Sequence, residues 1–313
     1  MNLLVLEPLD SEVIEWLGRR HAVRVAPELA RDPAALRESL PQMHGLILPP
    51  TVAVDHSLLK AAPRLRVIGR VSAGIETVDI EACRMHEVEL VRSGTATAQA
   101  EAEYMLGGAL NMLRRVPVYG ADGLLVGREL GQSTVGLLGL TPASKVLAQI
   151  LPAFGAKVVG YDPSLHESED LWQQWNIPPV PLRALMEQSD VLCVQLPYYP
   201  RYKGLLGHRV LGHAKANQVV VALTHCAMFD DVALAGAMRS GRILAAWMDS
   251  VEPGWLEPDR PLHGMPNLQI TPRVASTTRE SRVRAAWAVA RRMDELLTKA
   301  EAPAAAVAER SGA

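Results

Sequence analysis

Residues 133–162 read STVGLLGLTPASKVLAQILPAFGAKVVGYD, and the order of residue types in that stretch decides the fold. The apolar run Val135–Leu138 has the length and continuity of a strand buried on both faces. Gly139 can make a tight turn, Pro142 suits the first turn of a helix running through about Phe154, and a second strand ends at Gly160-Tyr161-Asp162. Strand, turn, helix N-terminus, second strand and an acidic residue about twenty positions on make the frame of a dinucleotide-binding unit. Within that frame the glycines are thinned. Thr141 stands where a second glycine lets the backbone approach a pyrophosphate, and Ser144 where a third permits close helix packing. Pro142 removes one N–H from the phosphate nest. The Thr141 and Ser144 hydroxyls are expected to return donors, so Gly139, Thr141, Pro142, Ala143 and Ser144 are the candidate cofactor contacts of the loop. Asp162 is placed to accept from a ribose diol, and its charge would repel a 2′-phosphate, which favours NAD over NADP.

Outward from this unit, short apolar runs alternate with helical patterns along almost the whole chain. Upstream they are LLVLE (3–7), VRVAP (23–27), GLILP (45–49), RVIGR (66–70) and VELVR (88–92). Downstream they are VLCVQLP (191–197), VVVAL (219–223), ILAAWMD (243–249) and LQITP (268–272). Continuous rather than alternating runs indicate parallel strands covered on both faces, and a long helical stretch from about Ala98 to Arg115 separates the two series. The expectation is α/β, with two doubly wound parallel-sheet domains, Rossmann-like and flavodoxin-like, and a cleft between them. Residues 277–298 read as an amphipathic helix, and the Ala-rich tail beyond as mobile.

Composition narrows the function classes. With 32 basic against 34 acidic residues among 313, and no run of one sign, neither nucleic acid nor an anionic membrane is implied. The N-terminal run MNLLVLEPL reads as a first strand rather than a leader, and no stretch is long and apolar enough to span a bilayer. Cys83, Cys193 and Cys226 are widely spaced, with no CxxC, which suits a reducing cytoplasm. His21, His44, His56, His86, His166, His208, His213 and His263 lack metal-ligand spacing and read as surface or turn residues, so no metal is expected. Trp172, Trp175 and Trp247 read as packing residues, and Tyr198, Tyr199 and Tyr202 as candidates for contact with a cofactor.

Over about residues 1 to 298 the chain resembles the D-isomer-specific 2-hydroxyacid dehydrogenases, the phosphoglycerate dehydrogenase-like group. The stretches that carry the likeness are RVIGRVSAGIETVDIEAC, VGRELGQSTVGLLGL, AFGAKVVGYDP, LPYYPRYKGLLG, DDVALAGAMRSGRILAAWMD and PNLQITPRVASTTRES, in the family's order and spacing. The resemblance implies a substrate-binding domain from residues 1–97 plus 281–313 and a dinucleotide-binding domain from 98–280, with the active site in the cleft and a homodimer formed through the nucleotide domain. It implies that main-chain N–H groups of Ser72, Ala73 and Gly74 hold the substrate carboxylate, and that Pro197 and Asp249 join the cofactor contacts.

The family uses an arginine on the substrate carboxylate, a histidine as acid and base, and a glutamate that orients the histidine. Aligned through Asp230-Asp231, the arginine position falls on His225; aligned through ITPRVAST, the histidine position falls on Arg273. The two residue types are exchanged, while the glutamate persists as Glu252 before Pro253. The resemblance thus implies His225, Glu252 and Arg273 as the reacting shell, with His225 exchanging the proton, because arginine, with a pKa above about 12, is no useful general acid. Glu101 replaces a small apolar residue of the family near the nicotinamide. Two functions are carried forward: an NAD(P)-dependent oxidoreductase of a small 2-hydroxy or 2-oxo acid, and a catalytically weak or inactive NAD- or ligand-binding member of the same scaffold. A purely structural protein is a third. If His225 and Arg273 are merely structural, Arg273 is expected to pair with Glu252.

Overall fold

The computed structural model describes residues 1–72, 77–249, 251–252 and 254–299; Ala73, Gly74, Pro253 and the tail from 300 lie outside the described residues. The chain divides into two units, Met1–Thr97 with Thr277–Ala313, and Ala98–Ser276.

The first unit holds five parallel strands, β1 (Asn2–Val5), β2 (Ala22–Val25), β3 (Gly45–Ile47), β4 (Val67–Arg70) and β5 (Glu89–Arg92), in the order β2-β1-β3-β4-β5. Successive side chains point to opposite faces, so β1 sends Leu4 and Leu6 to one core and Leu3 and Val5 to the other. That second face is closed by Ala285, Ala286, Val289, Ala290 and Met293 of the helix Arg279–Lys299. The helix lies close on the sheet because β4 carries Gly69, where a Cβ would come within 2.5 Å of the Met293 sulfur. His21, read from sequence as a surface or turn residue, has a side chain only 4% exposed and meets Asp294 of that helix at 2.9 Å. The partner lies 273 residues away, so no local pattern could announce it.

The second unit begins with the helix Ala98–Arg115 and a small antiparallel hairpin, β6 (Val118–Tyr119) with β7 (Leu125–Val126), which the sequence reading did not anticipate. Then follow β8 (Thr134–Leu138), β9 (Lys157–Tyr161), β10 (Val191–Val194), β11 (Gln218–Ala222), β12 (Ile243–Met248) and β13 (Leu268–Ile270). All pair in parallel, in the order β13-β12-β11-β10-β8-β9. β10 and β11 are buried at every residue and β8 at all but its first, as expected of central strands covered on both faces. Trp172 is buried in the core on one face. The winding reverses between β8 and β10, and their carboxyl ends are therefore where a ligand crevice forms in such a sheet. Among the described residues no helix is long and apolar enough to cross a membrane.

Candidate functional site

At the β8–β10 switch point the chain leaves β8 through Gly139, whose φ is +98°. A Cβ there would sit 2.5 Å from Leu196 Cα and 2.6 Å from Leu196 N, so only glycine lets this turn lie against the chain leaving β10. The helix Pro142–Ile150 starts at once, with Thr141 as its N-cap. The loop is satisfied from within. Leu140 N–H donates to Asp162 Oδ2 at 2.8 Å, and Thr141 N–H to Ser144 Oγ at 2.9 Å. Ser144, fully buried, passes its own proton to Gly139 C=O at 2.9 Å.

The hydroxyls expected to face a phosphate are thus turned elsewhere: Ser144 Oγ is locked in the loop, and Thr141 Oγ1 donates to Gln195 Oε1 at 2.7 Å. Sequence spacing could not show this, because Gln195 comes from the next strand of the sheet. Ala143, also fully buried, has a backbone N–H with no acceptor among the described residues and keeps the donor role of a helix N-terminus. Asp162, 5% exposed, accepts from Leu140 on one oxygen and from Ser164 N–H and hydroxyl on the other, at 2.8 and 2.6 Å. Oδ1 is thus filled, and Oδ2 keeps lone-pair capacity for one ribose hydroxyl. The turn, strand pair and acidic residue fit an adenosine and its ribose, whereas the N–H groups for a pyrophosphate are reduced. The buried Nε2 of Gln195, beside Thr141, has no hydrogen-bond partner among the described residues. Pro197 is exposed just past β10.

Past the end of β11, His225 caps the short turn Cys226–Met228, its Nδ1 accepting Ala227 N–H at 3.2 Å. A ring nitrogen that accepts carries no proton, so in the neutral imidazole the proton is on Nε2. Nε2 lies 3.1 Å from Glu252 Oε1, and the Tyr198 ring stacks on the imidazole at 4.8 Å and 24°. Glu252 N–H donates to Cys226 Sγ at 3.2 Å, and burial pushes the Cys226 thiol up. The donor atoms of His225, Cys226 and Glu252 lie within 4.8 Å of one another, a set that could coordinate a cation. His225 is 18% exposed and Glu252 50%, so the carboxylate is the accessible side of the pair.

Two of the three expected shell residues are therefore in contact, and it is His225 rather than Arg273 that pairs with Glu252. Arg273 is exposed, makes no ion pair with a described residue, and has a φ of +54° that a side-chain-bearing residue seldom adopts. Asp249 explains how that backbone is held. Its Oδ1 accepts from Thr271 hydroxyl and Val274 N–H at 2.6 and 2.8 Å, its Oδ2 from Ala275 N–H at 2.9 Å, and its C=O from Arg273 N–H at 3.2 Å. Tyr104 bonds Thr271 at 2.5 Å, and burial above all raises its phenol to about 12. Tyr104 was missed from sequence; an aromatic on the buried face of the helix Ala98–Arg115 reads as core.

In the first unit, Ser72 N–H does meet a carboxylate, but an internal one: Glu7 Oε1 at 3.1 Å, which the Ser72 hydroxyl also binds. Glu7 follows β1 and Ser72 follows β4, and nothing local links them. The other two residues of that loop, Ala73 and Gly74, fall outside the described residues.

A doubly wound sheet with a glycine turn and a helix starting at its switch point defines a dinucleotide-binding α/β protein, and the second unit is of that class. The chain belongs to the D-isomer-specific 2-hydroxyacid dehydrogenase family: residues 112–275, just over half of it, match the model described as "D-isomer specific 2-hydroxyacid dehydrogenase, NAD binding domain". It is 29% identical over 298 residues to a D-3-phosphoglycerate dehydrogenase of Mycobacterium tuberculosis, covering 92% of this chain and 55% of that protein. It is 27% identical over 295 residues to a (S)-sulfolactate dehydrogenase of Chromohalobacter salexigens, covering 91% and 95%. The chain thus spans about half the length of the phosphoglycerate dehydrogenases it matches. A crystal structure from Thermus thermophilus superposes with a TM-score of 0.77 at 26% identity, over 97% of this chain and 99% of that one.

Proposed function

We propose that the protein is an NAD-dependent oxidoreductase acting on the CH–OH group of a small 2-hydroxy acid, or on the matching 2-oxo acid in reverse. The observation that carries the reading is the 3.1 Å contact between His225 Nε2 and Glu252, a histidine–carboxylate pair on the unit that holds the dinucleotide frame. Bound NADH would supply the hydride to the 2-oxo carbon, seated at the Gly139 turn with its ribose diol toward Asp162. His225 does the proton work. To act as the acid His225 must first be cationic, with Nδ1 protonated and its contact to Ala227 N–H given up. The Nε2 proton then passes to the substrate oxygen as the C–H bond forms, the ring returns to neutral, and Glu252 stabilises the imidazolium before the transfer. Arg273, exposed and always charged, balances the substrate's anionic group or the developing alkoxide. The names of the relatives, a phosphoglycerate, a sulfolactate and a glyoxylate enzyme, support a short acid with a 2-hydroxy or 2-oxo group. The further expectations are a homodimer, on the family resemblance, and the cytoplasm, which the three free, buried thiols favour.

A second reading, a nucleotide-binding member with little turnover, is favoured by the loop whose Leu140 and Thr141 N–H groups already have acceptors and by a histidine engaged at both nitrogens. The loss of NADH absorbance with glyoxylate, pyruvate and hydroxypyruvate separates the two. The oxidoreductase reading expects turnover that falls about 10²- to 10⁴-fold in His225→Gln. Saturable NADH binding without turnover leaves the second reading, and absence of both removes the two together.

A further inference from the structure

A cavity of 420 Å³ lies in the first unit, where the chain leaves β1 and β4 and the helix Arg279–Lys299 begins. Its walls carry opposite charges. Glu7 and Asp10 line it from the segment after β1, Arg279 and Arg282 from the first turns of the helix, and Val71 and Val283 complete an apolar part. None of these four charged groups is neutralised by another: among the described residues Asp10, Arg279 and Arg282 have no ion-pair partner.

Glu7 is the telling group. It is 4% exposed; Ser72 binds Oε1, while no donor among the described residues meets the buried Oε2. A buried carboxyl oxygen left without a donor carries a desolvation cost; burial pushes the Glu7 carboxyl up, which Ser72, the Val71 backbone and the nearby Arg70 charge offset only in part. A ligand N–H delivered to Oε2 removes that cost. On the opposite wall, two guanidiniums at a helix N-terminus suit a carboxylate, which arginine grips through paired N–H donors. Chloride, a bare carboxylate or a bare amine would each satisfy one wall and leave the other unmatched.

We infer that this cavity is a binding site for a small zwitterion of the amino-acid class, with its ammonium on Glu7 and Asp10, its carboxylate on Arg279 and Arg282, and an aliphatic side chain against Val71 and Val283. The volume is in the range of small-molecule sites and well above that of such a ligand. The inference does not depend on the oxidoreductase reading, because every residue it uses lies in the first unit and none is assigned to hydride or proton transfer.

Calorimetric titration of the full chain with D- and L-valine, isovalerate and isobutylamine tests it, the last two being valine without its ammonium and without its carboxylate. Valine of at least one hand should bind saturably, and about tenfold or more tighter than either analogue. Glu7→Gln and Arg282→Ala should each weaken valine by about tenfold. If Glu7→Gln fails to fold, Arg282→Ala, at an exposed helix position, decides alone. Isovalerate or isobutylamine binding as tightly as valine, valine affinity unchanged by the substitutions that fold, or no saturable binding by about 20 mM valine overturns the inference.

Discussion

Two glycines with nearly equal φ, Gly139 at +98° and Gly254 at +93°, allow the close approach at the dinucleotide turn to be weighed apart from the strain of a positive φ. An alanine at either position pays the left-handed penalty, about 1–2 kcal/mol. At Gly254 that is nearly all, because the nearest atom to the new Cβ is a flexible Glu257 carboxylate oxygen at 3.7 Å. At Gly139 the Cβ meets Leu196 backbone atoms at 2.5 and 2.6 Å, and backbone cannot rotate aside as a side-chain tip can. Forcing the two strand ends apart adds about 1–3 kcal/mol of overpacking. The expected losses are therefore about 2–5 kcal/mol for Gly139→Ala and about 1–2 for Gly254→Ala. In thermal melts, at about 2–4 °C per kcal/mol for a domain of this size, the first variant should lose about 4–20 °C and the second about 2–8 °C. Urea midpoints at unchanged slope should rank them the same way. Equal losses, or a milder effect at Gly139, would refute the argument that contact with Leu196 is what selects glycine there.

Freeing the loop should tighten cofactor binding: in Thr141→Gly with Pro142→Ala, one recovered charge-assisted bond of about 1.5 kcal/mol lowers the NADH dissociation constant about tenfold, read from tryptophan quenching. An unchanged or weaker constant would mean the loop is not what limits affinity. Because Glu7 titrates above its ordinary 4.5 in the folded chain, the stability it contributes is full below pH 4.5 and is lost as pH rises through the folded value. Glu7→Gln should therefore flatten the fall in urea midpoint above pH 4.5, and an identical pH slope in the two proteins would contradict the burial argument. Dialysis against EDTA should leave NADH oxidation unaltered, since the nitrogen that faces Glu252 carries the proton a cation would have to displace. Activity lost to EDTA and restored by zinc would show that the His225, Cys226 and Glu252 cluster works as a metal site instead.

The frame of this molecule was legible because it rests on local signals. Continuous apolar runs gave the strands of both sheets, and Gly139 with Pro142 gave the turn and helix start, since both act through their own backbone geometry. What escaped were bonds between segments that only the fold brings together. Thr141 and Gln195 are 54 residues apart, Ser72 and Glu7 are 65 apart, and His21 and Asp294 are 273 apart. In each case a polar group read from its neighbours in sequence has its partner on another strand or helix. His225 is instructive in the same way. Its type and position suggested a reacting residue, but the tautomer and the Glu252 contact depend on Ala227 N–H and on where the chain after β12 returns.

The helix Arg279–Lys299 closes a face of the first sheet, yet 179 residues of the other unit are made between Thr97 and Thr277. On a ribosome adding about 5–20 residues per second, the side of that sheet presented by Leu3, Val5, Ile47 and Val67 stays bare for roughly 10–40 s after β5 has emerged. The later-born unit can therefore mature first, while the N-terminal strands remain a target for any chaperone that recognises exposed aliphatic surface.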